Sequence, residues 1–165
     1  MKIMRQEIES LINGLIFLIL VFIIFSWIYR PYIIEYNAEK DFLQATHKNI
    51  NDKNSLFYVD LCKNIASIKE QVNCVMLATS PIYHYTKDQE RTKIRTPTQY
   101  AKLGGNCKDS AILYATIFKN LNYTIKFEFP IPHHITTTIY KKIGDNIYKY
   151  CNIEGNTATC YEVII

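Results

Sequence analysis

The chain has 165 residues, 48% of them hydrophobic, and a formal net charge of +4 at pH 7. That length accommodates one modest domain besides any membrane segment. The charge is too small, and its basic residues too evenly mixed with acidic ones, for a nucleic-acid partner.

The first element is set apart by composition. Ser10–Tyr29 carries no charged side chain. A helix of about twenty residues crosses a bilayer core of roughly 30 Å. Trp27, Tyr29 and Arg30 form an interfacial edge, and Pro31 is the expected stop. A cleaved signal peptide fits less well, because no A-x-A-like site follows. The segment therefore reads as a single-pass anchor, domain 1–31, contacting the membrane through residues 10–29. Lys2 and Arg5 before it, against Arg30 and Lys40 after it, favour by a small margin a cytoplasmic N-terminus and an extracytoplasmic remainder.

Residues 32–54 read as a juxtamembrane stalk or short helix. The remaining domain is expected over 55–165. Leu61, Ile65, Ile68, Val72, Val75 and Met76 recur at helical spacing. Ser67-Ile68-Lys69-Glu70 inside that run has the form of a capping box, which divides it into helices over Ser55–Ala66 and Ile68–Thr79. Ile82–Arg95 reads as an exposed polar connection. Thr96-Pro97-Thr98-Gln99 starts a short helix to about Leu103, with Gly104 as its stop. Asn106 then caps a strongly apolar helix that begins at Cys107, with Asp109 near its positive end. Strands follow over Tyr123–Phe129, His133–Tyr140 and Ile147–Glu154, and a last one closes the chain. Gly144-Asp145-Asn146 and Gly155-Asn156 supply turns. Helices followed by an antiparallel sheet make the fold class α+β.

Cys107 is the residue whose placement carries chemistry. A thiolate is the nucleophile, and a helix N-terminus or a neighbouring imidazolium favours it over the thiol. His133 and His134 open a strand that can pack beside the start of the Cys107 helix. Asn152 and Glu154 share one face of the next strand, since strand side chains alternate. Either is placed to orient the imidazole. A zinc site is disfavoured, because neither C-x-x-C nor H-E-x-x-H spacing occurs, and no cofactor is expected.

The segment "GGNCKDSAILYATIFKNLNY" resembles the nucleophile segment of the transglutaminase-like superfamily, in which a Gly-rich turn and a Cys open a helix. "HITTTIY" is similar to that family's histidine strand, and "YKYCNIEGNT" to its acid-bearing strand. The resemblance covers roughly 61–157. It implies a small papain-like domain of helices packed on an antiparallel sheet, with Cys107 as nucleophile, His134 as general base and Glu154 as the acid. His134 takes precedence over His133 because "ITTTIY" then falls in register. Asn152 is the alternative to Glu154. Thr136 stands where the family usually has an aromatic residue, and Glu or Asn where it usually has Asp. The implied activity is thiol-dependent acyl transfer on a protein or peptide, as a peptidase, amidase or transglutaminase. The alternative is a catalytically silent domain of the same fold that binds a peptide or scaffolds a membrane complex.

The other four cysteines fall into two pairs. Cys62 and Cys74 flank the expected turn at Ala66-Ser67, and Cys151 and Cys160 flank Gly155-Asn156. Each pair is placed to bridge a hairpin, which requires an oxidising compartment. The competing reading is four small apolar residues in a reduced one.

Overall fold

The computed structural model describes residues 2–86, 94–130, 134–142 and 147–164. The chain divides into two compact units, Met1–Ala38 and Glu39–Ile165. The expected turn at Gly144-Asp145-Asn146 and the histidine at position 133 lie outside the described residues.

In the first unit, α1 (Lys2–Lys48) contains the apolar stretch Ile12–Arg30, with a mean hydropathy of 2.5. Among the described residues this is the one helix long and apolar enough to cross a membrane. Its large side chains, Phe17, Phe22 and Trp27 among them, point outward. The expected stop at Pro31 is not observed, because the helix runs through it to Lys48. A proline removes its own N–H from the ladder and crowds the carbonyl four residues back, and the turns on either side carry the helix through it.

The second unit is α+β. The end of α1 belongs to it, so residues 39–54 are not a detached stalk. Phe42 is buried against Phe127 with ring centroids 5.3 Å apart, and Asn120 donates to the Ile50 carbonyl at 2.8 Å. A lone phenylalanine in a polar stretch gave no periodic signal for this packing.

Next comes α2 (Lys53–Cys62), which starts two residues before the expected Ser55 and ends well before Ala66. Asp52 is its N-cap. One carboxylate oxygen accepts from the amides of Asn54 and Ser55, and the other accepts from Thr98. The Ser67 hydroxyl caps α3 (Ile68–Thr79), as expected, and a 3-10 turn over Ser80–Ile82 follows. Cys62 and Cys74 form a disulfide across the α2–α3 hairpin. Then come α4 (Pro97–Leu103) and α5 (Cys107–Asn120).

Four strands follow as a meander in the order β1 (Thr124–Glu128), β2 (Thr136–Lys142), β3 (Ile147–Glu154) and β4 (Thr157–Ile164), all antiparallel. β2 begins three residues after the expected His133. Cys151 lies directly opposite Cys160 in the register, and the two are bridged.

α5 is the central element. Ile112, Leu113, Ile117 and Phe118 have no exposed surface, and each contributes roughly 1.5–3 kcal/mol of apolar burial. The helix lies against β1, β2 and β3, while α3 covers β4. A polar contact fixes its height on the sheet: the Thr137 hydroxyl donates to the Ala111 carbonyl at 3.2 Å. Two buried tyrosines link the helices. Tyr114 meets the Thr79 hydroxyl at 3.3 Å, and Tyr123 donates to Gln71 at 2.8 Å. Burial pushes both phenols up to about 12. The result is a cysteine at one end of a buried helix, beside the ends of β2 and β3.

Candidate active site

The cysteine side of the site is built by local capping chemistry. Thr96 and Gln99 form a reciprocal capping box on α4, with Pro97 in its first turn. α4 stops at Gly104, whose φ of +68° is costly for any residue with a Cβ. A Cβ there would also run into the His84 carbonyl oxygen. Gly105 then pairs with Tyr85 in a short parallel bridge: Gly105 donates to the His84 carbonyl at 2.9 Å, and Thr86 donates to the Gly105 carbonyl at 2.8 Å. A Cβ at Gly105 would lie 2.5 Å from an Asp109 oxygen and 2.7 Å from the Tyr100 ring. Both glycines are therefore required by close approach.

Asn106 caps α5, its side-chain oxygen accepting from the Lys108 amide at 2.9 Å. Asp109 does more than complement the helix dipole. It is fully buried. One oxygen accepts from the Asn106 amide at 3.1 Å and the other from the Arg95 amide at 2.8 Å. The Arg95 guanidinium in turn donates to the Gly104 carbonyl at 2.8 Å. The loop before Cys107 is thus held from both sides, and Cys107 sits, partly buried, as the first residue of α5.

The opposite side comes from the sheet. His134 lies just ahead of β2, and Glu154 is the last residue of β3. His134 Nε2 and Glu154 Oε1 are 2.8 Å apart, with side chains 27% and 61% exposed. Asn152, the alternative orienting residue, is engaged elsewhere. Its amide nitrogen donates to the Thr136 and Thr138 hydroxyls at 3.2 and 3.1 Å. Glu154 is followed by a two-residue turn, with Gly155 at a φ of +58°. The Tyr83 hydroxyl lies 2.7 Å from where a Gly155 Cβ would stand.

Between the two sides is an open cleft of about 380 Å³, lined by Cys107, His134 and Glu154 together with Tyr83, Tyr85 and the turn 155–157. The geometry brings Cys107, His134 and Glu154 to one cavity and leaves Asn152 off its lining. With Nε2 on Glu154, the ring's Nδ1 is the nitrogen left for a reacting group. Among the described residues no group of three or more His, Cys, Asp or Glu could hold a metal ion. A zinc set using Cys151 and Cys160 has no thiolates to offer, since both are in a disulfide.

Sequence reasoning missed the aromatic wall and the buried supports. The segment 82–95 read as an exposed polar connection. Its residues 87–93 lie outside the described residues, and Tyr85 is indeed 60% exposed, but Tyr83 and Tyr85 also line the cleft and Arg95 holds Asp109 and Gly104. The period-two spacing of the tyrosines was the available signal. Compared with protein-family models, with curated proteins and with solved structures, the chain gives no match.

Proposed function

We propose that the chain is a membrane-anchored, thiol-dependent acyl transferase of the transglutaminase-like, papain-type class, acting on protein or peptide substrates. The observation that carries this reading is the shared cleft. Cys107 opens a capped helix and lines one cavity with a His134–Glu154 pair held at 2.8 Å.

In this reading the Cys107 thiolate attacks an amide or ester carbonyl, forming the C–S bond of a tetrahedral adduct. Collapse expels the amine or alcohol, which takes a proton from the His134 imidazolium, and leaves a thioester. Water or a second amine, deprotonated by His134, then displaces Cys107 and regenerates the thiol. Glu154 fixes the tautomer of the ring and stabilises its charged form, the role of the third member of such a set. The positive end of α5 favours negative charge at the attacking sulfur.

The anchor is the stretch Ile12–Arg30. Two disulfides support an oxidising, extracytoplasmic location for the second unit.

The test is alkylation of Cys107. Iodoacetamide should label it at neutral pH faster than a model thiol such as N-acetylcysteine, and His134→Ala should remove most of that advantage. Labelling no faster than the model thiol would overturn the catalytic reading and leave a peptide-binding module in its place.

A further inference from the structure

The sheet has two edges, and they differ. β1 is five residues long, carries Lys126 and Glu128, and is followed within two residues by Pro130. Short length, charge and a nearby proline are the usual ways of blunting an edge against other strands. β4 is blunted far less. It is eight residues long, contains no proline, and has Glu162 as its one charged residue. Its register with β3 runs without a bulge from Glu154↔Thr157 to Ile147↔Ile164. Among the described residues β3 is its only strand partner. In an antiparallel pair alternate residues turn their N–H and C=O away from the partner, so an edge of this length offers about four such outward positions.

The edge begins at the cleft. Thr157, the first residue of β4, lines the same cavity as Cys107 and His134. The turn at Gly155-Asn156 sets it directly after Glu154. We infer that β4 is the docking edge for an extended stretch of the substrate chain, which adds to the sheet as an antiparallel fifth strand. Its acyl-donor carbonyl is delivered past Thr157 to Cys107. This rests on the acyl-transfer reading above.

An extended peptide is the occupant the geometry asks for. Outward N–H and C=O groups in a row are matched by another main chain. The antiparallel sense places the residues preceding the scissile bond along β4. Every second side chain of the added strand would stand on the outer face of the sheet. There Tyr161 is half exposed and stacks on Tyr150 at 5.1 Å. β-branched or aromatic residues at alternate positions are therefore preferred, as in cross-strand pairs generally.

The experiment uses the full chain in detergent micelles and peptide aldehydes, which add reversibly to thiols. The probes are a tripeptide aldehyde and an octapeptide aldehyde with Val and Tyr at alternate positions. The octapeptide should protect Cys107 from iodoacetamide at about tenfold lower concentration, since two or three added main-chain hydrogen bonds are worth that much. N-methylating its amides one at a time should weaken protection with a period of two, because only alternate N–H groups face β4. Tyr161→Ala should shrink the length advantage of the octapeptide over the tripeptide. No gain with length, or an N-methyl profile without that period, overturns the proposal.

A second arm needs no thiol chemistry: the matching octapeptide alcohol should slow hydrogen exchange of the β4 amides. If alkylation shows no accelerated thiol, this arm still decides the docking edge by itself, and absence of protection overturns it. Slowed β4 exchange that grows with protein concentration without peptide would mean pairing with a second copy, and would also overturn it.

Discussion

The two sides of the cleft are built on opposite principles. The cysteine side is over-determined: two glycines in close contact, a capped helix, and a fully buried Asp109 accepting from two backbone amides. The histidine side is open, resting on strand register and one solvent-facing pair with Glu154 61% exposed. The difference separates stability from reactivity. Substitutions on the first side should unfold the loop that presents the thiol. Substitutions on the second should leave the fold intact and change only what the thiol does.

The largest effect is expected at Asp109. Asp109→Ala leaves two part-buried backbone N–H groups without this acceptor, and each such orphan costs about 1–3 kcal/mol. Urea unfolding should therefore show a loss of about 2–6 kcal/mol, with Asp109→Asn recovering part of it through its one remaining acceptor. A loss below about 0.5 kcal/mol, the range of ordinary surface changes, would show that the loop is held by other contacts and would erase the contrast.

The disulfides come next. They close separations of 12 and 9 residues, and loops of that size stabilise by roughly 3 kcal/mol each. Replacing Cys62 and Cys74 together by Ala should lower the urea midpoint accordingly, while removal of the Cys151–Cys160 bridge should in addition loosen the register that carries Glu154. If iodoacetamide labelling of Cys107 responds equally to both, the sheet side does not depend on that register.

On the open side, His134→Ala and Glu154→Gln should each change stability by no more than about 0.5 kcal/mol. Both should slow Cys107 alkylation, His134→Ala the more. Glu154→Gln keeps the ring oriented by a hydrogen bond and removes only the charge. Asn152→Ala should leave alkylation unchanged, because its amide is occupied by Thr136 and Thr138. An Asn152→Ala effect matching that of Glu154→Gln would reverse the assignment.

The last effect is confined to alkaline pH. Tyr114 and Tyr123 are raised to about 12 from the ordinary 10.0. Between those values the folded chain holds protons that the unfolded chain releases. Their contribution is complete below pH 10 and is lost as pH rises through about 12. Phenolate absorbance should show late-titrating tyrosines only while the chain is folded. Tyrosines that all titrate near 10 in the folded chain would contradict this burial.

Much of the cysteine side was legible because capping acts over three residues. Thr96 with Gln99, Ser67 with Glu70 and Asn106 with Asp109 are neighbours in sequence and in space. The cysteine pairs were legible for a similar reason, since each flanks a single turn. Other features depend on distant partners. Asp52 caps α2 while accepting from Thr98, 46 residues away. Arg95 reaches Asp109 across 14 residues. Phe42 finds Phe127 only once the sheet has formed. Period-two alternation put Asn152 and Glu154 on one face and had no means of choosing between them. The register of β2 on β3 places Asn152 opposite Thr138 and Glu154 beside His134.

The sequence alone determined the apolar stretch, the order of helices before strands, the helix that starts at Cys107, and the α+β class. Each rests on local periodicity, on side chains that cap their own neighbours, or on uninterrupted apolar composition. Only the tertiary structure decided that residues 39–54 join the globular unit, that Tyr83 and Tyr85 line the cleft, and that His134 meets Glu154 rather than Asn152. Those outcomes depend on how α1, α5 and the four strands are brought together, and no single segment carries that energy.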